Sequence, residues 1–463
     1  MVERRDVLKG AAIGAAGFAV SGGPAHAKLA GTIEIPGQVK YPGVDGKMLV
    51  NRPRAYAILE QHKLDGLIAL NPMNVYYLTN TLPTMTKFRS DYSGFATFAR
   101  DPSQPSFLIA SNAQAWDVVN GDREVPELIT YGGSTSWDAR AQGAVQQMNV
   151  EPKAASSGYT VRQGVPLTPR EQRWADAQKK YNTNAAAGPA WAIVRALKQS
   201  GLTKGRIAID DMRIKYLLDQ IGFEGPTFVP GESVFRMIRM VKSETEIPLM
   251  RIAGHNNAVA TMNTIKSIEK GMTFAEIERR FRVECAVLGS EMTSFLAGVT
   301  IGLFPDGEAV PGKAFLIDAV SHFKEYHGDF SRTVCIGEPP KDVIARAKAN
   351  KVGRDAVFEA IKPGVKFSDL HRIGKDAQVK AGMPPEILIV NAHTLGLEHG
   401  DNPMRMEMNG PPIDHVLEEN MVLTVDLPYV EVGWGAGHNE DLLRVTKTGF
   451  EPMNTISDPL EVV

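Results

Sequence analysis

The sequence is poor in the residue types that mark several common classes of protein. Only two of its 463 residues are cysteines, so it has neither a disulfide framework nor a cysteine-rich zinc site. Cys285 and Cys335 are left either to pair with each other or to remain as two buried free thiols. The 51 lysines and arginines nearly balance the 53 aspartates and glutamates, and no basic run stands out. Nucleic-acid binding is therefore not indicated.

A long hydrophobic run is also missing, and the apolar stretch near the N-terminus has the features of an export signal. Arg4 and Arg5 precede an Ala/Gly-rich run over residues 11–20, which is about half the length needed to span a bilayer. Ala25-His26-Ala27 then offers an A-x-A cleavage site. We therefore predict a twin-arginine signal peptide over residues 1–27, no membrane anchor, and a mature protein in the periplasm or outside the cell.

What remains is the composition of an ordinary globular protein with room for two or three domains. Apolar residues make up 43% of the chain and charged residues 22%. The composition changes near Gly231. We predict an N-terminal α/β domain over residues 28–235 and a second domain, of the α+β class, over residues 236–463.

The apolar pattern of the first half predicts short alternating elements and contains no strong cluster of catalytic residue types. The predicted elements are a helix over 52–63, β-type runs at 67–70, 75–79, 95–98 and 106–110, a surface excursion over 131–172, a single helix over 173–199 and a strand at 206–209.

The second half contains a nineteen-residue repeat. GMTFAEIERRFRVECAVLG, residues 271–289, can be aligned with GVKFSDLHRIGKDAQVKAG, residues 364–382, with Gly at both ends and Phe at the fourth place. Each copy follows a long helical segment and precedes strand-like sequence, and Thr273-x-x-Glu276 is a capping-box pattern. We interpret the copies as two related halves whose helices cover one sheet. Two unrelated helices with similar caps are the alternative.

Two carboxylates lie on a predicted hairpin between the copies. Asp318 and Asp329 each belong to a run with strand character, and the polar residues 321–326 between the runs are predicted to form the turn. Adjacent antiparallel strands would bring the two carboxylates close together. Buried like charges are costly unless they share a proton or a cation, and divalent metals are a common solution. On this segment alone, two solvent-exposed hairpin carboxylates are the alternative.

The second half of the repeat supplies further residues of the same chemical type. His393, Asp426 and Glu440 each lie beside a strand-like run. An unpaired carboxylate after an apolar strand is unfavourable, so a partner is expected for Asp426. Four carboxylates and one imidazole form a ligand set suited to Mn, Fe, Co or Zn.

Together these motifs resemble the pita-bread metallopeptidase superfamily, of the Xaa-Pro aminopeptidase, prolidase and creatinase type. The matching segments are Asp329-Phe330-Ser331-Arg332-Thr333, His393-x-x-Gly396-Leu397-Glu398, Glu440-Asp441, LDGLIALNPMNVYYLTN in the first half and MVKSETEIPLMRIA at the start of the second. The likeness covers nearly all of residues 52–451.

The resemblance implies a C-terminal pita-bread fold with a pseudo-twofold repeat, preceded by an N-terminal α/β domain of the creatinase type. It also implies a centre of two divalent metal ions, Mn, Fe, Co or Zn, with Asp318, Asp329, His393, Asp426 and Glu440 as ligands. Asp329 and Glu440 would bridge the two ions. Homodimers are frequent in the superfamily, and we expect one here.

This sequence departs from the family pattern at one predicted ligand and at several positions around the centre. Asp426 stands where the family usually has Glu, and residues 298–313 lack the usual histidine. Gly400 occupies the place of a second histidine, with His399 one residue early. His438 replaces an arginine or similar residue two places before the last Glu. The set of metal ligands is nearly intact, with Asp426 one methylene shorter than the usual Glu, whereas the residues that handle a peptide have changed.

His399 and Glu398 are the candidates for proton transfer. His399 can act as a general acid or base, or it can be an ordinary polar loop residue. His322, His327 and His438 flank predicted ligands and could line the pocket, but we favour roles in supporting a ligand or facing solvent. Arg332 is predicted to anchor a carboxylate.

The leading hypothesis is an exported dinuclear-metal hydrolase that cleaves a peptide or small amide bond with metal-activated water. The second keeps the metals and changes the reaction, to a lyase such as the dimethylsulfoniopropionate lyases of the superfamily or to a small-molecule C–N hydrolase. The third is a non-catalytic binding protein on a decayed enzyme scaffold. In each case the partner is a small peptide or small polar molecule.

Overall fold

The computed structural model describes residues 46–89, 94–112, 114–119, 123–132, 149–154, 160–299, 306–403, 413–454 and 457–463. The predicted signal peptide, residues 1–27, lies outside these ranges, as does part of the predicted excursion over 131–172. Within these ranges, no helix combines the length and apolar character that crossing a membrane requires.

The described residues form helices joined by mostly short strands. The helices are α1 (Arg52–Gln61), α2 (Pro72–Thr79), α3 (Ala115–Val119), α4 (Pro169–Asn182), α5 (Pro189–Gln199), α6 (Arg213–Gln220), α7 (Glu232–Arg239), α8 (Glu246–Lys266), α9 (Phe274–Val287), α10 (Lys341–Ala360) and α11 (Phe367–Lys380). The strands of the first half are β1 (Gly66–Ala69), β2 (Gly94–Ala99), β3 (Phe107–Ser111), β4 (Glu127–Tyr131), β5 (Arg206–Ile209) and β6 (Thr227–Pro230). Those of the second half are β7 (Glu291–Gly298), β8 (Phe315–Phe323), β9 (Tyr326–Cys335), β10 (Asn391–Thr394), β11 (Val422–Asp426), β12 (Tyr429–Glu431), β13 (Gly435–Gly437), β14 (Leu442–Val445), β15 (Phe450–Pro452) and β16 (Leu460–Val462). Short 3-10 helices occur at Thr84–Phe88 and Pro385–Ile387.

The first half is built on one mixed sheet in the order β4-β3-β2-β1-β5-β6. β1 pairs with β5 in parallel and with β2 in antiparallel orientation. β1 and β2 are buried along their whole length, which is typical of strands covered by helices on both faces. The prediction of an α/β arrangement agrees with this sheet.

Two elements of the first half differ from the sequence prediction. Residues 75–79 are helical and belong to α2. The Asn71 side chain caps this helix by accepting a hydrogen bond from the Met73 N–H, and Pro72 occupies its first turn. The single helix predicted over 173–199 is two helices, α4 and α5. The chain is broken between them by the fully extended Gly188, and Pro189 starts α5.

The second half contains two four-stranded sheets, in the orders β16-β9-β8-β7 and β10-β11-β14-β15, and a two-stranded ribbon of β12 and β13. Within the described residues, the sheets meet at a bridge between Ser331 of β9 and Glu440. Each residue of this bridge donates its backbone N–H to the carbonyl oxygen of the other, at 3.3 and 3.1 Å. The bridge joins a strand of the first repeat half to the segment that carries the last predicted ligand.

The repeat corresponds to two matching helix pairs. α8 and α10 are the long helices, with 21 and 20 residues, and α9 and α11 have 14 residues each and begin at the repeated Phe. The four glycines that bound the copies all have positive φ, between +71° and +98°. A residue with a side chain is strained in that conformation, which explains glycine at both ends of each copy. Thr273 and Glu276 form the predicted capping box.

The β8–β9 hairpin is tighter than predicted. Its strands extend to Phe323 and from Tyr326, so the turn consists only of Lys324 and Glu325, with φ of +48° and +68°. Two central residues with positive φ are typical of the hairpin turns that match strand twist. The predicted turn residues 321–323 belong to a strand because Ser321 and His322 pair with Gly328 and His327.

The two halves share a continuous apolar core. One cluster extends from Leu67 and Phe98 of the first sheet through Phe235 of α7 to Tyr326 and Leu442 of the second half. The predicted domain boundary at residues 235 and 236 lies inside α7, and the division into two domains stays a prediction. Cys285 and Cys335 are both buried free thiols, which decides between the two alternatives left by the sequence.

Candidate metal centre

The β8–β9 hairpin places its two carboxylates on one face. Asp318 pairs with Ser331, and Val320 pairs with Asp329, so the two aspartates are diagonal neighbours across the two strands. Asp329 is 1% exposed. α8 covers the opposite face so closely that a Cβ on Gly328 would lie 2.3 Å from the Ala253 carbonyl oxygen. The register and this helix fix where the aspartates point.

Glu440 is held at the junction of the two sheets by two hydroxyl groups. Ser331 Oγ donates to Glu440 Oε2 at 2.7 Å, and Thr424 Oγ1 donates to Glu440 Oε1 at 2.8 Å. Its backbone is paired with Ser331, and its side chain is buried. As predicted, Arg332 anchors a carboxylate: it donates to Asp441 Oδ1 at 2.6 Å and also to the Glu440 carbonyl.

His393 and Asp426 come from adjacent antiparallel strands of the second sheet. Asn391 of β10 pairs with Asp426 of β11, and His393 follows two residues later on the same side of the strand. His393 Nε2 lies 3.5 Å from Asp426 Oδ2, and the Asn391 amide donates to the same oxygen at 3.3 Å.

The five predicted ligands meet where these elements converge. Potential ligand atoms lie within 4.8 Å of one another in three groups: Asp329 with His393 and His399; Asp318 with His438 and Glu440; and His393 with Asp426 and Glu440. The groups overlap at His393 and Glu440. All five predicted ligands are therefore brought together, and two further histidines join them.

Burial and mutual repulsion raise the pKa values of the four carboxyl groups. The pKa is raised to about 8 for Asp318 and for Glu440, in both cases first by burial and then by a neighbouring carboxylate. It is raised to about 6 for Asp426, mainly by burial, and well above its usual range for Asp329, by burial and then by Glu440. Four carboxylates this close together, two of them fully buried and two largely buried, are a costly arrangement without a cation.

The polar atoms left without partners indicate what the cluster can hold. Asp329 Oδ1, Asp426 Oδ1, His393 Nδ1 and His438 Nε2 are buried and have no hydrogen-bond partner among the described residues. Buried polar atoms normally have partners, so unpaired atoms on residues that meet at one site point to a missing ligand. Carboxylate oxygens and imidazole nitrogens suit Mn, Fe, Co or Zn, and two such ions fit the residues present.

His399 reaches the centre from the loop that follows β10. Its Nε2 lies 2.9 Å from Asp329 Oδ2, and its ring centroid is 4.9 Å from that of His393. Burial and the charge of His393 lower its pKa. The side chain is still 51% exposed, so the ring contacts both the buried carboxylate and the open side of the site.

Glu398 points away from this cluster. Its carboxylate pairs with Arg236 and, at 3.3 Å, with Arg239, and it belongs to none of the three groups. The structure therefore brings together only one of the two residues predicted to transfer protons. The sequence spacing alone could not distinguish them, because the arginines come from α7, far away in the chain.

A buried ionic network holds the loop that carries His399. Arg239 and Lys242 are fully buried and both pair with Asp401, at 2.7 and 3.2 Å. Arg239 also donates to the Asn74 side chain, and Arg236 donates to the Gly400 carbonyl. The loop is thus fixed by α7 and, through Asn74, by the first half of the chain.

His438, for which the sequence favoured a supporting or solvent-facing role, lies among the potential ligands. It is 3% exposed and belongs to the group with Asp318 and Glu440. Burial, then the Arg332 charge, lowers its pKa to about 3. The sequence spacing could have indicated this position. Residues two apart in an extended segment point to the same side, and His438 precedes the predicted ligand Glu440 by two.

The two histidines of the hairpin lie beside the centre rather than in it. His322 and His327 are paired across β8 and β9, on the face that also carries Asp329, with ring centroids 5.6 Å apart. Burial lowers the pKa of His327 to about 4. Neither belongs to the three groups found among the described residues.

Comparison with known proteins gives matches to metallopeptidases. The model of Metallopeptidase family M24 matches residues 248–447. The chain is 26% identical over 235 residues to the Xaa-Pro dipeptidase of Lactobacillus delbrueckii subsp. lactis, with 49% of this chain and 63% of that protein covered. It is 28% identical over 266 residues to the probable dipeptidase PepE of Mycobacterium tuberculosis, with 55% and 69% covered. The alignment to the first relative thus spans less than two thirds of its length.

A solved structure supports the same fold over a larger part of the chain. The dipeptidase from Pyrococcus horikoshii OT3 matches with a TM-score of 0.62 and 18% identity, over 89% of this chain and 99% of that one. The chain therefore has the predicted mixed α+β architecture of the prolidase and creatinase pita-bread type. These matches agree with the prediction of a metallopeptidase-like hydrolase, and the activity of this chain stays a prediction.

Proposed function

We propose that this chain is an exported metallopeptidase of the M24 type. It would use two divalent ions to cleave a short peptide, most simply an Xaa-Pro dipeptide, or a small amide. The observation that supports this most directly is the convergence of four carboxylates and an imidazole in overlapping groups of metal-binding geometry. The match to family M24 and the Xaa-Pro dipeptidase relatives supports the same reaction class.

In this proposal the chain's own residues have distinct tasks. Asp318, Asp329, His393, Asp426 and Glu440 hold the two ions. Two such ions lower the pKa of water and polarise a carbonyl group, which makes amide hydrolysis possible at neutral pH. Ser331 and Thr424 orient Glu440 through their hydroxyl groups, which fixes the ligand before the ions arrive.

His399 is the residue that we propose moves the proton. Its Nε2 is hydrogen-bonded to Asp329 Oδ2, its pKa is lowered, and the ring still reaches the open side of the site. A neutral imidazole at this position can accept a proton beside the reacting bond and return it to the leaving amine. Glu398 is not assigned this task, because Arg236 and Arg239 neutralise it.

The test is a metal analysis combined with a substrate panel. Purified protein is expected to hold about two ions per chain and to cleave one or more Xaa-Pro dipeptides or tripeptides after loading with Mn, Co or Zn. Asp329→Asn is expected to lose metal and activity together, whereas the exposed Asp376→Asn on α11 keeps both. Two bound ions without turnover of any Xaa-Pro peptide would contradict the peptidase assignment.

A second candidate keeps the ions and changes the substrate to a small polar non-peptide compound, cleaved by a lyase or C–N hydrolase reaction. The supporting observation is the position of His399, one residue before the family's usual place, where it bonds Asp329 directly. Turnover of such compounds that depends on Asp329, with no turnover of peptides, would favour this candidate. The third candidate, a non-catalytic binding protein, requires a chain that binds fewer than two ions.

Export by the twin-arginine route remains part of the proposal. It is supported by Arg4-Arg5, the short apolar run and Ala25-His26-Ala27. A fusion of residues 1–35 to a reporter that is active only outside the cytoplasm should be exported, and replacement of both arginines by lysine should retain it inside. The expected homodimer is likewise a proposal, and light scattering on purified protein would test it.

A further inference from the structure

We infer that His438 is a sixth metal ligand and supplies an imidazole nitrogen to the ion on the Asp318 side of the centre. This inference rests on the proposed dinuclear centre and concerns a residue that the ligand pattern implied by the sequence does not include. With His438 as a ligand, each of the two ions would have its own histidine.

The first observation is the ring's position between two carboxylates. His438 Nδ1 lies 3.6 Å from Asp318 Oδ2, and its Nε2 lies 3.9 Å from Glu440 Oε2. Both distances are too long for a good hydrogen bond. Only one ring nitrogen can bind a given ion, and the separation of Nε2 from Glu440 lies within the about 3 to 4 Å expected for two atoms that are each about 2.1 Å from one ion. One ligand atom each of Asp318, His438 and Glu440 lies within 4.8 Å of the others.

The second observation is that the ring has no other task among the described residues. His438 Nε2 is buried and without a hydrogen-bond partner, although the side chain is only 4% exposed. Burying an imidazole nitrogen without a partner costs free energy. A metal ion at this place would give it a partner.

The third observation is that the backbone presents the ring rigidly. The His438 N–H donates to Thr333 Oγ1 at 3.0 Å, and the same hydroxyl donates to the His438 carbonyl at 3.2 Å. Two residues later, the backbone of Glu440 is paired with Ser331. The backbones of His438 and Glu440 are therefore both held by β9. Their side chains point to the same side, as ligands of one ion must.

A nitrogen ligand changes which metal the Asp318 side prefers. With carboxylates alone, this side would suit Mn²⁺ well. An added imidazole shifts the preference toward Zn²⁺, Co²⁺ or Fe²⁺. The inference therefore predicts that the side chain of His438 affects zinc affinity more than manganese affinity, which a purely structural role would not.

The experiment measures metal binding by His438→Gln and by the matched control His322→Gln, which lies on the same hairpin face but outside the three groups. Calorimetric titration of the metal-free proteins is expected to show that His438→Gln weakens one of the two zinc sites by at least about tenfold, with a clearly smaller effect on manganese. His322→Gln should bind both metals like the unmodified protein. Equal losses for zinc and manganese, or no loss, would overturn the inference.

Proton NMR of the cobalt-loaded protein gives a readout that does not need the His438 variant to fold. Each coordinated histidine contributes one strongly shifted, exchangeable N–H resonance. The measurement is made on His399→Gln, because His399 is a third histidine with a potential ligand atom at the centre. Two such resonances are then expected, from His393 and His438. A protein that binds two ions but shows a single resonance would refute the role of His438 alone, whereas a protein that binds fewer than two ions would refute the proposed centre itself.

Discussion

Replacing Asp426 with asparagine should have opposite effects on stability with and without metal. Burial, and to a lesser extent the charge of Asp318, raises the pKa of Asp426 from 3.8 to about 6 in the metal-free protein. The folded chain therefore binds this proton more tightly than the unfolded chain does. The resulting stability is fully present below pH 4 and is lost as the pH rises through about 6.

The size of the effect follows from the difference between the two pKa values. One pKa step corresponds to about 1.4 kcal/mol, so full ionisation of Asp426 lowers the free energy of unfolding of the metal-free protein by about 3 kcal/mol. About half of this loss falls between pH 5 and pH 8. Asparagine cannot ionise, so metal-free Asp426→Asn should gain stability relative to the unmodified protein over this range, by about 1 to 2 kcal/mol.

With metal bound, the sign should reverse. Asp426 is then a ligand, and its loss weakens the binding that stabilises the folded state. The assay is urea denaturation at pH 5 and pH 8, with chelator and with excess zinc, of the unmodified protein, Asp426→Asn and the exposed control Asp376→Asn. A metal-free Asp426→Asn protein whose relative stability is the same at both pH values, or falls from pH 5 to pH 8, would refute the reasoning.

Three further changes test other parts of the structure. Arg239→Met removes the main partner of the buried Asp401 and should lower the free energy of unfolding by about 3–5 kcal/mol, measured by urea denaturation; a loss below about 1 kcal/mol would contradict the network. Gly328→Ala forces a Cβ against a backbone carbonyl of α8 and should cost about 1–3 kcal/mol or more. Gly188→Ala, where no described atom beyond its chain neighbours lies within 4 Å of the added Cβ, should be much milder in the same assay. His399→Gln should lower kcat for the best substrate by about 10²–10⁴-fold while two ions remain bound, and loss of an ion would instead make His399 a ligand.

The sequence alone was sufficient for the features that depend on local spacing. Asp318 and Asp329 lie on adjoining strands of one hairpin, so pairing fixes their proximity once the strands are recognised. The repeat is equally local, because a capping box and glycines with positive φ mark the ends of its helices whatever surrounds them. The tight hairpin turn was missed because Ser321 and His322 are polar and nevertheless pair as strand residues.

Only the tertiary structure decided which of two neighbouring residues faces the centre. Glu398 and His399 are adjacent and both suited to proton transfer. Glu398, however, pairs with Arg236 and Arg239 of α7, whereas His399 is hydrogen-bonded to Asp329 of β9. These partners are distant in the chain, and sequence spacing carries no information about them.

The same reason explains His438. Its side chain lies beside Asp318 because the Thr333–His438 hydrogen bonds and the Ser331–Glu440 bridge join this segment to β9. The sequence determined that metal-binding residues were present and in what order. The packing of α7 and the junction of the sheets decided which side chains complete the site, because a contact between distant segments depends on the whole fold rather than on either segment.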